Sequence, residues 1–192
     1  MIDWLEHIDQ ELLLWINSKH NPFFDLVFWS LSKSVGLLPF YILTMYYLIT
    51  DYKLKKAIYI LGFIVVCLAI TDLVSTQVFK EGIKRYRPSH HTTIGPKLHL
   101  HEEKPGVYYR GGQYGFISSH ASNIAGFVAF IFPWFYKKRP YWIYILSGVG
   151  LLVCYSRIYL GVHYPSDIVA GIVFGGFVGW IIGKLSLKLI PE

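Results

Sequence analysis

Three polar clusters in this sequence combine residue types that could carry out phosphoryl chemistry. The first begins at Lys80 and ends at Arg87-Pro88. The seven-residue step from Lys80 to Arg87 is almost two helical turns, so the two cations would share one helix face and could clamp an oxyanion. Pro88 disfavours helix at the residue before it and would end the element there. Taken alone, this cluster is better explained as basic residues that flank a membrane span.

The second cluster, Ser118-Ser119-His120, directly precedes an apolar stretch. Ser118 or Ser119 could act as the N-cap of a helix that begins here. A helix N-terminus presents N–H groups and the positive end of the helix dipole, which suits phosphate. His120 would lie in the first turn, close to such a phosphate. Simple helix capping beside an incidental histidine explains this cluster equally well.

The third cluster runs from Ser156-Arg157 to His163 and Asp167. Pro165 suits the first position of a helix, which would place His163 before that helix and Asp167 in its first turn. A carboxylate there can hold one imidazole nitrogen and leave the other free to attack, while Arg157 supplies a guanidinium for phosphate. The alternative is a surface turn with a His–Asp contact, but charged groups beside membrane spans are usually functional.

The stretches that must position these clusters are strongly apolar. Of the 192 residues, 54% are hydrophobic and 16% charged, against roughly 25% charged in soluble domains, and the mean hydropathy is +0.41. We therefore predict one all-α domain over residues 1–192, a polytopic membrane helix bundle with about five transmembrane helices, or six. Candidate spans lie at 35–50, 57–79, 120–136, 141–156 and 167–189.

The first 34 residues are predicted to form interfacial helices rather than spans. Residues 3–16 place apolar side chains at helical spacing and polar ones on the opposite face, which is typical of an amphipathic helix lying in the membrane interface. Asn21-Pro22 would end it, and the apolar segment 23–31 is too short to cross a bilayer. The transmembrane core is therefore assigned to residues 35–189, with an outer loop over 80–117.

The basic residues of the short loops predict the orientation. They form three groups: Lys53, Lys55 and Lys56; Lys137, Lys138 and Arg139; and Lys184 and Lys188. The positive-inside rule makes their side cytoplasmic, so the three polar clusters meet on the outer face. Together they supply three cations, two histidines, one carboxylate and a helix N-terminus, which suits phosphoryl transfer without a metal.

Charge and cysteine content narrow the class of partner. The formal net charge of +6 suits acidic lipid headgroups or a phosphorylated substrate. We expect no nucleic-acid partner, because the basic residues lie between apolar blocks rather than in one soluble patch. Cys67 and Cys154 lie inside apolar runs and predict neither a disulfide nor a zinc site.

Small residues recur every four positions in two of the predicted spans. The stripes are Gly171, Gly175, Gly179 and Gly183, and Ala121, Ala125 and Ala129. Such stripes let helices approach closely in lipid. Packing within one molecule is favoured over a dimer interface, and the oligomeric state is left open.

The three clusters resemble the motifs of the type 2 phosphatidic acid phosphatases, a superfamily that includes bacterial acid phosphatases, glucose-6-phosphatase and vanadium haloperoxidases. The family's first motif, K-x-x-x-x-x-x-R-P, and its third, S-R-x-x-x-x-x-H-x-x-x-D, match in full. The second departs from P-S-G-H and reads Ile117-Ser118-Ser119-His120. Ser119 still offers a backbone N–H at the position of the family's glycine.

The resemblance implies a role for each matching residue. His163 would attack phosphorus and become phosphohistidine, Asp167 would orient it, and His120 would protonate the leaving oxygen and later activate water. The phosphate oxygens would be held by Lys80, Arg87, Arg157, Ser118 and the Ser119 N–H. No metal or other cofactor is expected.

These features favour a lipid phosphatase in a bacterial inner membrane, with its site on the periplasmic face and a lipid phosphate as substrate. Undecaprenyl pyrophosphate, phosphatidic acid, phosphatidylglycerol phosphate and lipid A phosphate all remain open. A vanadate-dependent haloperoxidase is the second enzyme hypothesis, and the predicted spans argue against it. A non-catalytic lipid-binding or transport protein is the third, and the two complete motifs argue against it.

Two weaker features lie near the predicted site. The pair His99-x-His101 in the outer loop could bind a metal, but a solvated loop is favoured because no fixed scaffold is evident. Asp72 lies within the second predicted span. A hydrogen bond inside the bundle is the favoured explanation for it.

Overall fold

The computed structural model describes residues 2–191 and confirms an all-α protein. Its helices are α1 (Ile2–Asn17), α2 (Pro22–Ser32), α3 (Ser34–Asp51), α4 (Leu54–Ile83), α5 (Ser119–Phe135), α6 (Pro140–Tyr159) and α7 (Pro165–Leu189). Between α4 and α5 lies the outer loop, which carries a small hairpin of β1 (Glu102–Lys104) and β2 (Val107–Tyr108). The segment Val74–Lys80 of α4 is a π-helix.

The helices contain three or four candidate membrane spans, against the five expected from hydropathy. α4, α6 and α7 are each long and apolar enough to cross. α2 and the α3 residues Val35–Asp51 would make a fourth only as one span bent by 52°, because α2 ends at Ser32 and Lys33, between the two helices, is extended. α5 has 17 residues, which is at the lower limit for a span.

α5 is the central helix, and α7 lies directly against it. A Cβ on Gly175 would lie 2.0 Å from the Ser122 carbonyl oxygen, and one on Gly179 would lie 2.1 Å from that of Gly126. The glycine stripe therefore packs within the molecule, as predicted. Of the alanine stripe on α5, Ala121 faces α7, 2.9 Å from a Cβ built on Gly171, whereas Ala125 and Ala129 line a groove between α5, α6 and α7.

α1 is more firmly attached than a helix that only rests on the membrane. Its outward face carries exposed Trp4 and Trp15, but Leu13 and Ile16 are buried in the core. At its end the Asn17 side chain donates to the carbonyl oxygens of His99 (2.8 Å) and Tyr159 (2.7 Å). Asn17 also accepts from the His99 N–H at 2.8 Å. One amide therefore joins α1, α6 and the outer loop.

The two ends of the bundle differ in charge and contacts. At one end Arg139 pairs with Asp51 at 2.7 Å, and Lys138 donates to the Asp51 carbonyl oxygen. At the other end lie the outer loop and the N-termini of α5 and α7. The three predicted polar clusters therefore meet at the end opposite the Lys137–Arg139 turn.

Replacing Gly175 by Ala should lower the melting temperature of the purified protein in detergent. Its Cβ would meet the Ser122 carbonyl oxygen at 2.0 Å, and overpacking typically costs roughly 1–3 kcal/mol. Gly176→Ala is the matched control, because a Cβ there meets nothing within 4 Å. Equal melting temperatures for the two variants would contradict this helix contact.

Candidate active site

A buried His–Asp pair lies where the chain turns into α7. Gly161 has φ +70, a left-handed conformation that favours glycine, and it reverses the chain after α6. His163 then places its Nδ1 3.3 Å from Asp167 Oδ2. The same carboxylate oxygen accepts from the Tyr164 N–H at 3.0 Å. Because an ionised carboxylate only accepts, Nδ1 carries the proton and Nε2 is the basic nitrogen.

The surroundings of His163 keep its imidazole neutral. The ring is 1% exposed. Burial, and then the charges of Arg87, Arg157 and Lys80, hold the pKa of His163 well below its usual range. A neutral imidazole is the state that a nucleophile or a general base requires.

Two arginines reach the same place from different segments. Arg157, on the last turn of α6, donates to the Ser32 hydroxyl and, at 2.9 Å, to the Tyr109 hydroxyl. Arg87 donates its Nε to the Tyr114 carbonyl oxygen at 3.1 Å. Burial, and then the charge of Arg157, lower the pKa of Arg87 to about 10, so the Arg87 guanidinium is still charged at neutral pH.

These arginines carry buried donors without acceptors. Among residues 2–191, the buried side-chain polar atoms that lack a hydrogen-bond partner are Arg87 Nη1, Arg157 Nε and Tyr164 Oη. Nearly all buried polar groups in proteins are paired. Two cationic N–H donors left over beside a neutral histidine form an arrangement that an oxyanion would complete.

The α5 N-terminus supplies the remaining predicted residues. Ser118 is the N-cap, and its hydroxyl accepts from the Ala121 N–H at 3.4 Å. Ser119 accepts from Lys80 Nζ at 2.6 Å. His120 follows, half-buried, with the charges of Arg157, Arg87 and Lys80 acting on it. All eight residues singled out from the sequence therefore lie at one end of the bundle.

The prediction that Lys80 and Arg87 share a helix face is wrong. α4 ends at Ile83, and Lys84 is left-handed at φ 54. Residues 85–87 are extended and pair with 113–115, through Gly115 N–H to Arg85 O (2.8 Å) and Arg87 N–H to Gln113 O (3.0 Å). The two cations converge because the chain reverses, not because of helical periodicity.

Four further contacts were not singled out from the sequence as parts of the site. Arg85 contacts Asp167, and Asp9 contacts Arg85. Ser32 and Tyr109 hold Arg157. Alternation along the extended segment 85–87 would have placed Arg85 on the same side as Arg87. No local pattern identifies Asp9 or Ser32, because their partners are distant in sequence.

Two weaker predictions have different outcomes. Asp72 does accept a hydrogen bond, from Asn123 Nδ2 at 3.3 Å, but its side chain is exposed rather than interior. His101 does not join His99, because it stacks on Trp29 with ring centroids 4.0 Å apart.

In the part of the chain that the structure describes, one group of side chains could hold a metal ion. It consists of His20, Asp25 and His99, whose ligand atoms lie within 4.8 Å of one another. The two imidazole rings are stacked at 3.8 Å and inclined by only 10°, so their lone pairs do not converge on one point. This group lies outside the His163 site, and one ring would have to turn before both could bind the same ion.

The chain is similar to known proteins of one family. The family model described as the PAP2 superfamily matches residues 59–190. The chain is 32% identical over 191 residues to the lipid A 4'-phosphatase of Bacteroides thetaiotaomicron, covering 98% of this chain and 81% of that protein. It is 32% identical over 186 residues to the lipid A 4'-phosphatase of Porphyromonas gingivalis, covering 97% and 76%.

A solved structure shares the fold. The transmembrane PAP2 type phosphatidylglycerolphosphate phosphatase of Bacillus subtilis superimposes with a TM-score of 0.70 at 20% identity. The match covers 96% of this chain and 87% of that one.

Proposed function

The chain belongs to the PAP2 superfamily and is a membrane lipid phosphatase, and we propose that it hydrolyses the 4'-phosphate of lipid A through a phosphohistidine. The observation that carries the proposed chemistry is the pair of buried, unpartnered guanidinium donors beside neutral His163. The two lipid A 4'-phosphatases that match nearly the whole chain support this choice of lipid.

Phosphate binding would use the unpartnered donors of Arg87 and Arg157 together with Lys80 and the N-terminus of α5. Arg87 Nη1 and Arg157 Nε donate to phosphate oxygens, and Lys80 adds a third positive charge. The first N–H groups of α5, on Ser119 and His120, lack intrahelical acceptors and favour an anion. The Ser118 hydroxyl accepts from Ala121 N–H and keeps its own proton for a phosphate oxygen. The Ser118 N–H is not available, because it donates to the Asp167 carbonyl oxygen at 3.1 Å.

The reaction would proceed in two displacements. His163 Nε2 attacks phosphorus, the bond from phosphorus to the sugar oxygen breaks, and His120 gives that oxygen its proton. Asp167 holds the Nδ1–H and stabilises the positive ring that forms. Water then attacks the phosphohistidine while His120 takes its proton, and phosphate leaves with both histidines restored.

The proposed location is a bacterial inner membrane with the site on the periplasmic face. The support is the separation of charge, since Lys53–Lys56 and Lys137–Arg139 belong to the end opposite His163 and basic short loops face the cytoplasm. In this arrangement α3, α4, α5, α6 and α7 are the five spans, and α1 and α2 lie at the outer interface.

The topology is tested by labelling single cysteines in intact cells. Lys104→Cys in the outer loop should react with a membrane-impermeant maleimide, and Lys138→Cys should react only after permeabilisation. Wild-type protein gives the background, since Cys67 and Cys154 are buried. Labelling at 138 with none at 104 would reverse the orientation.

The substrate is tested by phosphate release from purified enzyme in detergent with excess EDTA. Lipid A bearing a 4'-phosphate should be hydrolysed faster than undecaprenyl pyrophosphate, phosphatidic acid or phosphatidylglycerol phosphate. Activity should survive EDTA, because three cations and a helix N-terminus supply the charge that a metal would provide.

The controls are His163→Ala enzyme and lipid A that carries only a 1-phosphate, and neither should release phosphate. Preference for another lipid would overturn the assignment to lipid A but not the chemistry. Activity lost in EDTA and restored by zinc would require a metal, with His20, Asp25 and His99 as the first ligands to replace.

Variants of the two histidines should respond differently to a change of the leaving group of the substrate. His163→Ala should form no phosphoenzyme with any substrate, because the nucleophile is gone. His120→Gln should lose roughly 10²–10⁴-fold of lipid activity, the usual contribution of a general acid. It should still be phosphorylated by p-nitrophenyl phosphate, whose acidic leaving group needs little protonation.

Dephosphorylation of that variant should be slow, because His120 also activates water. A phosphohistidine at position 163 should therefore accumulate, stable to base and labile to acid, and rapid quench with mass spectrometry can locate it. An adduct on His120 in the His163→Ala variant would reverse the two roles. No adduct in any variant would favour direct attack by water.

A further inference from the structure

We propose that Arg85 and Asp9 are positioning residues that hold the Asp167 carboxylate against His163. Helix α1, which carries Asp9, is therefore part of the active site. This inference rests on the proposed role of His163 as nucleophile. It concerns residues that the three recognised motifs do not specify, since Arg85 occupies a variable position of the first motif and Asp9 lies outside all three.

The two oxygens of Asp167 have separate tasks. Oδ2 faces His163 Nδ1 at 3.3 Å and accepts from the Tyr164 N–H at 3.0 Å. Oδ1 accepts from Arg85 Nη1 at 2.9 Å. Arg85 therefore grips the side of the carboxylate that faces away from the imidazole, and a rotation that would pull Oδ2 from His163 must break the Arg85 contact.

Arg85 is itself held by α1. Its Nη2 donates to Asp9 Oδ2 at 2.8 Å, and Asp9 Oδ1 accepts from the Ser166 N–H at 2.9 Å. The Ser166 hydroxyl also donates to Asp9. Below the guanidinium lies the Tyr164 ring, 4.2 Å away. One planar fork thus spans two carboxylates, which the single ammonium of a lysine cannot reproduce.

Both carboxylates are buried, so each needs its contact with the Arg85 cation. Asp167 is 0% exposed and Asp9 is 6% exposed, and a buried carboxylate without a counter-charge takes up a proton or moves. The charged or titratable groups around Asp167 are Lys80 from α4, Arg85 and Arg87 from the outer loop, Asp9 from α1, and His163 and Tyr164 at the start of α7. Arg85 is the cation in direct contact.

Loss of Arg85 should therefore act on the nucleophile through Asp167. The carboxylate would lose its fixed orientation and its nearest positive charge. Removal of a nearby cation makes a carboxyl group easier to protonate, and a protonated Asp167 would no longer hold the Nδ1–H of His163. The acid limb of the pH–rate profile should consequently move to higher pH.

The test compares variants of the purified enzyme with p-nitrophenyl phosphate as substrate. Arg85→Ala should lower kcat by roughly 10²-fold, as expected when a catalytic group is misplaced, with little change in KM and with the acid limb moved upward. Arg85→Lys should keep the acid limb, because the charge remains, yet still lose kcat. Asp9→Asn should lower kcat with KM unchanged.

The matched control is Arg139→Ala, which removes an arginine from an ion pair with Asp51 at the opposite end of the bundle. It should retain the kcat and the pH profile of the wild type. Added guanidinium ion should restore part of the activity of Arg85→Ala and none to His163→Ala.

The outcomes distinguish a positioning role of Arg85 and Asp9 from a role in stability alone. If Arg85→Ala and Asp9→Asn lower the melting temperature but keep kcat per folded enzyme and the acid limb of the wild type, the proposal is overturned. A raised KM with unchanged kcat would also overturn it, by making Arg85 a substrate contact. Because the substrate is an artificial ester, a wrong assignment of the physiological lipid would leave this comparison intact.

Discussion

The hydrogen bond from the Ser118 N–H to the Asp167 carbonyl oxygen, 3.1 Å long, joins the first turns of α5 and α7, and the site depends on it. It is possible only because the backbones of these helices touch, with Gly171, Gly175 and Gly179 facing α5. A side chain at these positions would move the two N-termini apart. His120 and the α5 N–H groups belong to one helix, and Asp167 to the other. The close contact of α5 and α7 thus sets the distance between His120 and the N–H groups of α5 on one side and Asp167 on the other.

Electrostatics imposes a second constraint on this end of the bundle. Lys80, Arg87 and Arg157 repel one another, and burial adds to the cost. The fold holds each with a neutral partner, since Ser119, the Tyr114 carbonyl and the hydroxyls of Ser32 and Tyr109 accept from them. Neutral acceptors fix these side chains without neutralising them. The positive charge therefore stays available for the phosphate that the enzyme is proposed to bind.

The carboxylates are placed differently from the cations. Asp167 and Asp9 both contact Arg85, which keeps their negative charge on the Nδ1 side of the His163 imidazole. His163 is consequently flanked by negative charge at Nδ1, while cations surround the ring. This separation lets one nitrogen keep its proton and leaves the other basic. α1 and α2 take part through Asp9 and Ser32, so the N-terminal helices contribute to the site as well as to the membrane interface.

The sequence by itself determined the chemistry and the class of fold. Residue types and short spacings predicted the His163–Asp167 pair, because both lie within one helical turn of the α7 start, where local geometry decides the contact. Hydropathy predicted an all-α membrane protein, and the glycine stripe predicted close packing of the last helix. These inferences depend on composition or on interactions between residues that are close in sequence, and both can be recognised from the sequence alone.

Only the tertiary structure decided how the clusters meet. Helical periodicity predicted that Lys80 and Arg87 share one helix face. In the structure the chain instead reverses at Lys84, and residues 85–87 pair with residues 113–115. The roles of Asp9 and Ser32 could not be read locally, since Asp9 lies 76 residues from Arg85, and Ser32 lies 125 residues from Arg157. Contacts across such separations arise from the packing of whole helices, and no short pattern in the sequence encodes them.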